Sequence, residues 1–342
     1  MRLLITGNLG YIGSVLTNRL DKEKFDITGI DTGYYRNCTY SNITSSFNQI
    51  YKDIREITKQ DIEGYESVIH LASLSNDPLG ELNPNLTNEI NYVSTMKLAN
   101  LAKAAGVERF VYASSQSMYG ISNIDEELDE DKSEKNPITT YAKTKWNAEV
   151  DLKKLSNNNF VVSCFRPSTV FGSSPRLRCD IVFNNLLSSA YTLGKIDILS
   201  DGSPWRPVIH INDVCDAFLS GLIAPKEIVE GESFNVGIKN GNFTVLDLAE
   251  AAKKLVPGCE IRISKNQNDA RTYKVSFDKI LTNLKDYFKP KWNLESGGKE
   301  LIEYFKEIDF NYDMFKDRHF TRLSQLQYLQ KKRLLDEELK WI

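Results

Sequence analysis

The stretch Arg2-Leu-Leu-Ile-Thr-Gly-Asn-Leu-Gly-Tyr-Ile-Gly13 opens the chain and decides its fold. Its first five residues are those of a short buried strand, and Ser14 to Leu20 has the apolar spacing of a helix. Glycines between a strand and a helix permit a tight turn and close approach to a pyrophosphate, which the free N–H groups of the helix then bind. The context therefore predicts a dinucleotide site. Its residues are Gly7, Asn8, Leu9, Gly10, Tyr11, Ile12 and Gly13.

An acidic residue ends the second predicted strand, Phe25 to Asp31. A carboxylate at this point accepts hydrogen bonds from both ribose hydroxyls of NAD and repels the 2′-phosphate of NADP. The predicted cofactor is therefore NAD, although Arg36 nearby keeps NADP open. Asp53 and Ile54, at the end of the third strand, are predicted to border the adenine; the alternative is that they are plain loop residues.

Strands and helices alternate as far as Gly172, which predicts an α/β fold with a doubly wound parallel Rossmann sheet. Leu71 and Ala72 follow the fourth strand, on the side where such sheets bind ligands. His70 ends that strand and is more typical of a hydrogen-bonded structural histidine than of a catalyst. The predicted domains are a Rossmann domain, a smaller C-terminal substrate-binding lobe and a helical tail without an assigned chemical role. Their ranges are 1–171 with 208–237 returning to it, 172–305, and 306–342.

A second stretch, Tyr141-Ala-Lys-Thr-Lys145, carries the candidate chemistry. Residues four apart on a helix lie on one face, so a lysine ammonium would lie beside a tyrosine phenol. The ammonium favours phenolate, so we expect the pKa of Tyr141 to fall from about 10 towards neutrality. Such a phenol can take a proton from a sugar hydroxyl or return one to a ketone. Ser115 is predicted to hydrogen-bond the same oxygen.

Composition excludes several other classes of function. The 342 residues are 41% hydrophobic and 26% charged, with a formal net charge of −3, so we expect neither a nucleic-acid nor a membrane partner. The scattered cysteines predict reduced core thiols and a cytoplasmic protein. The three histidines share no metal-ligand spacing, so no metal site is predicted.

A longer ordered set of motifs resembles one family, the extended short-chain dehydrogenase/reductases of the nucleotide-sugar epimerase/dehydratase type, over roughly residues 1–305. The motifs are Thr6-Gly-x-x-Gly-x-x-Gly13, Asp31, Asp53-Ile54, His70-Leu-Ala72, Ser114-Ser115-x-x-x-Tyr119-Gly120, Tyr141-x-x-x-Lys145, Arg166-Pro167 to Phe171-Gly172, Arg206 to Asp213, and Phe234-Asn-Val-Gly237.

The resemblance implies a role for each matching residue. Tyr141 would be the acid/base, Lys145 would lower its pKa and contact the nicotinamide ribose, and Ser115 would bind the reacting oxygen. A nucleotide-diphospho-sugar would be the substrate, and two copies would pair the Thr87–Ala105 and Tyr141–Leu155 helices into a homodimer. The implied substrate-binding residues are Ser115, Gln116, Thr169, Asn185, Arg206 and Arg271. A polar residue that only packs the lobe is the alternative for Asn185, Arg206 and Arg271, and Thr169 stands where many relatives carry asparagine.

The choice of reaction depends on the two residues after Ser115. The family's 4,6-dehydratases carry an Asp-Glu pair there, whereas this chain has Gln116 and Ser117, which do not ionise near neutral pH. Dehydration is therefore disfavoured. The favoured prediction is an epimerase that oxidises and re-reduces one sugar carbon. A 4-dehydrogenase or 4-ketoreductase uses the same residues and is the main alternative; a non-catalytic NAD sensor is a weaker one.

Overall fold

Strands and helices alternate along the chain much as its sequence predicts. The computed structural model describes residues 1–41, 47–122, 125–264 and 272–342. Within these ranges the strands are β1 (Arg2–Thr6), β2 (Asp26–Asp31), β3 (Asn48–Tyr51), β4 (Ser67–His70), β5 (Arg109–Ala113), β6 (Val161–Pro167), β7 (Thr169–Phe171), β8 (Lys195–Ile198), β9 (Trp205–His210), β10 (Glu232–Val236), β11 (Asn242–Thr244) and β12 (Glu260–Ile263).

The α-helices flank these strands. They are α1 (Tyr11–Arg19), α2 (Asp77–Gly80), α3 (Pro84–Asn88), α4 (Ser94–Ala104), α5 (Thr140–Leu155), α6 (Val182–Leu193), α7 (Ile211–Ile223), α8 (Lys226–Val229), α9 (Val245–Leu255), α10 (Asp278–Asn283), α11 (Leu294–Glu307), α12 (Tyr312–Lys316) and α13 (Arg322–Lys331). A π-helical segment, Glu89–Val93, joins α3 to α4, so the long helix predicted over 87–105 is present with a wider turn inside it.

The central sheet has seven strands in the order β10-β6-β5-β4-β1-β2-β3, and all its neighbouring strands are parallel. The chain winds outwards from β1 to β3 and then crosses back to β4 on the other side of β1. In a doubly wound sheet, ligands bind at this reversal, outside the carboxyl ends of the strands. The predicted Rossmann fold class is confirmed.

Two small sheets lie beyond the central one. One has the order β11-β9-β7, with β9 parallel to β7, and the other pairs β12 with β8. The segment 208–237, expected to return to the Rossmann domain, is therefore divided. Its end, β10, pairs with β6, whereas β9 pairs Val208 to His210 with Thr169 to Phe171 and lies in the small sheet.

The core lies on both faces of the central sheet, because successive side chains of a strand point to opposite faces. On β5, Phe110 and Tyr112 pack in one apolar cluster and Val111 in the other, and all three are fully buried. The cysteines Cys38, Cys164, Cys179, Cys215 and Cys259 are buried and unpaired, as predicted. None of the helices within the described ranges is both long and apolar enough to cross a lipid bilayer.

The C-terminal tail, residues 306–342, packs against both clusters. Phe310, Phe315 and Phe320 are buried in the cluster that also holds the small sheets, whereas Leu326 and Leu329 of α13 are buried in the other. The tail therefore contributes to both apolar clusters.

Candidate active site

The glycine-rich turn after β1 is shaped by contacts that only glycine permits. Gly7 has a φ of +75°, and a Cβ there would lie 2.6 Å from the backbone nitrogen of Ala72. A Cβ on Gly13 would lie 2.3 Å from the carbonyl oxygen of Gly7, so α1 packs directly on the turn. Gly10 caps α1 without a side-chain hydrogen bond, which leaves the first N–H groups of the helix available to an anion.

Asp31 lies beside this turn, at the end of β2. Its Oδ2 accepts from the backbone N–H of Leu9 (3.1 Å) and its Oδ1 from that of Gly33 (2.8 Å), so the carboxylate is fixed in place. Burial raises its pKa. Each carboxylate oxygen has a second lone pair with which it can accept a ribose hydroxyl. Arg36, which kept NADP open, lies over the ring of Trp341 instead, 5.1 Å from its centroid.

A cavity of about 1090 Å³ extends from this turn across the carboxyl ends of the strands. Most of the predicted site residues line it: Gly7, Gly10, Tyr11, Ile12, Gly13, Asp31, Asp53, Ile54, Leu71, Ala72, Ser115, Gln116, Tyr141, Lys145, Thr169, Asn185 and Arg206. The volume is at the upper end of that of single-ligand sites, which suits two ligands bound side by side.

Two predicted cofactor residues lie off the cavity wall. The side chain of Asn8 is buried under the turn, against Gly29, and its Nδ2 donates to Gln49 Oε1 (2.7 Å). Leu9 is buried in apolar surroundings, because the turn directs its side chain inward. Its backbone instead holds Asp31 and Arg176, whose Nη1 donates to the Leu9 carbonyl (2.8 Å). Arg271, a predicted substrate ligand, lies outside the described residues.

Ser115 and Tyr141 meet on the cavity wall. Ser115 ends the segment after β5 and Tyr141 lies in the first turn of α5, so the fold brings together residues 26 apart in the chain. Burial raises the pKa of Tyr141 to about 12, and a hydrogen bond from Ser115 acts in the opposite direction. The Ser115 hydroxyl also hydrogen-bonds Ser117 Oγ (2.5 Å).

The expected effect of Lys145 on Tyr141 is wrong for this structure. The Lys145 Nζ donates to the carbonyl of Ala113 (2.8 Å) and lies over the Tyr112 ring, 4.9 Å from its centroid. Burial lowers the pKa of Lys145 itself to about 7, so its ammonium is weakened rather than available to stabilise phenolate. The pKa of Tyr141 rises instead of falling because desolvation outweighs the charge effect that was predicted from spacing.

A buried ion pair near the candidate catalytic residues fixes α5. Glu149, two turns after Tyr141, accepts from Arg166 Nη2 of β6 (2.5 Å), from Ser114 Oγ (2.5 Å) and from Ser233 Oγ (2.7 Å). Burial alone would raise the pKa of Glu149, but the Arg166 guanidinium and the hydroxyl donors lower it. The carboxylate is therefore charged and fully paired, and it ties α5 to β5, β6 and β10.

The cavity is also lined by the predicted substrate-binding residues Gln116, Asn185 and Arg206. Gln116 is buried; its Nε2 donates to the carbonyl of Arg166 (3.0 Å), and within the described residues its Oε1 has no hydrogen-bond partner. Asn185 donates to the carbonyl of Cys179 (2.9 Å) from α6, and Arg206 on β9 donates to the carbonyl of Trp205 (2.7 Å). A buried unpaired amide oxygen is costly unless a ligand donates to it.

His70 has the structural role that was favoured for it. Its Nδ1 hydrogen-bonds Thr6 Oγ1 (2.6 Å) and its Nε2 hydrogen-bonds Thr95 Oγ1 (2.7 Å). Burial lowers its pKa to about 3, so the ring is neutral at physiological pH. It does not line the cavity.

Several cavity residues escaped the analysis of the sequence. They are Ser75, Asp77, Arg178, Asp180, Tyr273, Thr321, Arg322 and Leu323. Arg178 pairs with Asp180 through its Nε (2.8 Å), and its Nη1 donates to Ser75 Oγ (3.3 Å). The alternation Arg176-x-Arg178-x-Asp180 is a local pattern that indicates a charged surface. Nothing near Arg322 in the sequence connects it to the glycine-rich turn, which lies more than 300 residues upstream.

Comparison with known proteins assigns this site to a family. A sequence model described as the NAD-dependent epimerase/dehydratase family matches residues 3–237. The chain belongs to this family. A UDP-glucose 4-epimerase of Mycolicibacterium smegmatis is 31% identical over 252 residues, which are 69% of this chain and 77% of that protein. A UDP-glucuronic acid decarboxylase of Xenopus tropicalis is 26% identical over 315 residues, 90% of this chain and 72% of that protein.

Solved structures show the same fold. The UDP-glucuronic acid 4-epimerase of Bacillus cereus, in complex with UDP-glucuronic acid and NAD, has a TM-score of 0.73 and 23% identity, and the match covers 90% of this chain and all of that one. The cofactor of this epimerase/dehydratase family member is NAD. Its residues fit that group: the Cβ-free turn, the uncapped start of α1 and the buried Asp31 carboxylate match the phosphates and the adenosine ribose.

Proposed function

We propose that the protein is an NAD-dependent nucleotide-sugar epimerase. The observation that carries this proposal is the placement of Ser115, Tyr141 and Lys145 on one cavity with the glycine-rich turn, while Gln116 and Ser117 stand where a dehydratase requires carboxylates. A carboxamide and an aliphatic hydroxyl do not ionise near neutral pH. Gln116 and Ser117 therefore cannot serve as the acid and base that eliminate water. They can hold a sugar without reacting.

In the proposed reaction the phenolate form of Tyr141 takes the proton of one sugar hydroxyl while the hydrogen on the same carbon leaves as hydride. Bound NAD supplies the hydride acceptor and later the hydride donor. Ser115 holds the reacting oxygen, and its hydrogen bond offsets part of the burial that raises the pKa of Tyr141. The keto-sugar then rotates within the cavity so that its opposite face is presented. The carbon is reduced from that face, and Tyr141 returns the proton. Atoms and electrons balance without a second substrate.

Arg206 and Asn185 are proposed ligands of the nucleotide diphosphate. Arg206 lines the cavity from β9 and Asn185 from α6, so both belong to the segment 172–305 and not to the glycine-rich turn. A guanidinium binds phosphate oxygens in a bidentate manner. This arrangement supports the proposed division of labour, with 1–171 and the returning β10 for the cofactor and 172–305 for the substrate.

The experiment is a survey of nucleotide sugars with the purified protein. Nucleotide released by denaturation is identified, and the protein is then incubated with UDP-, dTDP- and GDP-linked hexoses and uronic acids. Products are read by NMR, and absorbance at 340 nm is followed. An inverted carbon with no net NADH supports the proposal. Stoichiometric NADH indicates a dehydrogenase or ketoreductase, and loss of water or carbon dioxide indicates a dehydratase or decarboxylase; any of these outcomes contradicts an epimerase.

We also propose that two copies pair through the helical run 84–104 and α5. These helices already contact each other: the Tyr92 hydroxyl donates to Asp151 Oδ2 (2.6 Å). Val93, in the same run, is 50% exposed, which suits an interface. Light scattering is expected to give the mass of a dimer, and a monomer would contradict this part of the proposal.

A further inference from the structure

The C-terminal tail forms part of the cavity wall. Thr321, Arg322 and Leu323, at the start of α13, line the same cavity as Gly10, Tyr11 and Ile12. The family model ends at residue 237, so this part of the wall lies beyond the region by which the chain was assigned. The tail is held there by packing, because Phe320 and Leu326 on either side are fully buried.

Arg322 is a buried cation whose guanidinium forms no salt bridge within the described part of the chain. Its side chain is almost fully buried. Its Nη2 donates to the carbonyl of Arg176 (2.6 Å), and its guanidinium lies over the Tyr35 ring, 4.4 Å from the centroid. The Asp180 carboxylate accepts from the backbone N–H of Arg322 (3.4 Å), and it forms its salt bridge with the Arg178 guanidinium instead of that of Arg322. Among the described residues no carboxylate forms a salt bridge with the Arg322 guanidinium.

Such a charge is costly unless an anion joins it. Removing a guanidinium from water carries a desolvation penalty that a carbonyl and an aromatic ring offset only in part. The neighbourhood has an excess of positive charge: Arg176 and Arg178 lie close to Arg322, whereas the nearby acids are Asp31 and Asp180, and Asp180 forms its salt bridge with Arg178. Burial lowers the pKa of Arg322, and the neighbouring Arg178 lowers it further. An anion bound in the cavity would balance this charge.

The contacts of Arg322 place it on the cofactor side of the cavity. Arg176, whose carbonyl it binds, donates to the carbonyl of Leu9 in the glycine-rich turn (2.8 Å). Tyr35, on which it stacks, belongs to the loop after Asp31, the residue predicted to hold the adenosine ribose. Arg206 and Asn185, the proposed substrate ligands, lie on other elements. NAD and a nucleotide-diphospho-sugar both contain a diphosphate. The contacts of Arg322 favour the diphosphate of NAD as its partner.

We propose that Arg322 is a cofactor-binding residue whose guanidinium pairs with the diphosphate of NAD, so that the C-terminal tail supplies one wall of the dinucleotide site. The glycine-rich turn offers N–H groups but no full charge, and a planar guanidinium adds a bidentate, always charged partner. The inference rests on the cofactor of the family and not on the proposed epimerase reaction. Binding measurements therefore test it separately from turnover.

The test compares full-length wild-type protein, freed of nucleotide, with Arg322→Met, which keeps the length of the side chain but removes its charge. Dissociation constants are measured by calorimetry for NAD, ADP-ribose, adenosine and UDP. For NAD and ADP-ribose we expect weakening of about 10- to 100-fold, the worth of a charged hydrogen-bonded pair. Adenosine and UDP should bind as in the wild type. Lys332→Met, an exposed cation of the same tail, is the matched control and should change none of the four.

Other outcomes overturn the proposal. Unchanged binding of ADP-ribose would show that Arg322 does not meet the diphosphate. An equal loss for adenosine would reveal a merely structural role, and a loss confined to UDP would assign Arg322 to the substrate. If Arg322→Met does not fold, Arg322→Lys decides the question, because it keeps the charge but not the fork. It should weaken ADP-ribose by about 3- to 10-fold without affecting adenosine, and wild-type affinity for ADP-ribose would again refute the proposal.

Discussion

Two buried arginines, Arg166 of β6 and Arg322 of α13, differ in one respect. Each is 2% exposed. Arg166 makes three contacts with Glu149, of 2.5, 3.1 and 3.1 Å, and one with the Tyr119 hydroxyl (2.8 Å). Arg322 meets carbonyls and a ring. The first charge is balanced within the chain and the second is not.

From this difference we infer that the Arg166 charge stabilises the fold, whereas the Arg322 charge is available to bind an anionic ligand. A balanced pair stabilises the structure only as long as both partners remain, and removing one leaves a buried charge behind. An unbalanced cation already carries its penalty in the folded chain, and a bound anion relieves it. Substitutions at both arginines and at their neighbours test this contrast.

The largest effect is expected at the candidate catalytic residue Tyr141. Tyr141→Phe removes the hydroxyl that exchanges a proton with the sugar, so kcat should fall by about 10³-fold or more, the upper range for a positioned acid/base. NAD should remain bound, because the ring is retained. Tyr112→Phe is the matched control: the Tyr112 hydroxyl is buried with no hydrogen-bond partner among the described residues, so its loss should leave kcat close to wild type. Steady-state kinetics and the nucleotide content of both variants test the prediction, and an active Tyr141→Phe enzyme would refute it.

The second experiment applies the same substitution to both arginines. Arg166→Met leaves Glu149 buried and unpaired, so we expect a loss of about 3–5 kcal/mol in the free energy of unfolding. Arg322→Met leaves no carboxylate without its salt-bridge partner. It should therefore lower the free energy of unfolding of the nucleotide-free protein by about 1 kcal/mol or less. Urea unfolding measures both. Adding Glu149→Leu to Arg166→Met should recover part of the loss, and equal costs for the two single variants would remove the contrast.

Lys145 gives the third prediction, a dependence of stability on pH. Its pKa is about 7 in the folded chain and about 10.4 when unfolded, so between these values the unfolded chain binds more protons. Its contribution to stability therefore rises with pH across this window and is lost as the pH falls towards 7, by up to about 1.4 kcal/mol per pH unit. The difference in unfolding free energy between nucleotide-free wild type and Lys145→Met, measured from pH 7 to 9, isolates this term from other titrating groups. A constant difference would mean that Lys145 is not desolvated.

The smallest effect is expected where the tail meets the loop after Asp31. Trp341 Nε1 donates to the carbonyl of Thr32 (2.7 Å), and Arg36 lies over its ring. Trp341→Ala should loosen this loop and raise the dissociation constant of NAD by about 2- to 5-fold, the worth of one neutral hydrogen bond. Ile342→Ala, next to it and 82% exposed, should have no effect. If Trp341→Ala weakened NAD binding as much as Arg322→Met does, the tail would act mainly by holding the loop after Asp31 and not through the Arg322 guanidinium.

Much of the site was predictable from short-range signals. Three patterns, each only a few residues long, were enough: the glycine spacing, the acid at the end of β2, and the Tyr141–Lys145 pair. The residues of all three patterns line one cavity. The direction of the Tyr141 pKa was wrong, because spacing reports which charges are near but not how deeply they are buried. Asn8 and Leu9 were predicted to belong to the dinucleotide site because they stand in the motif, and the structure adds that their side chains are buried.

Local periodicity and motifs of fixed spacing were therefore enough to predict the class of fold and the family, and they named the candidate catalytic residues. Tertiary structure alone decided which charges are balanced. Arg166 and Glu149 are 17 residues apart, and Arg322 reaches the carbonyl of Arg176 across 146 residues. Whether a buried charge finds a partner depends on how distant segments pack, because electrostatic cost is set by the surroundings in space and not by neighbours along the chain.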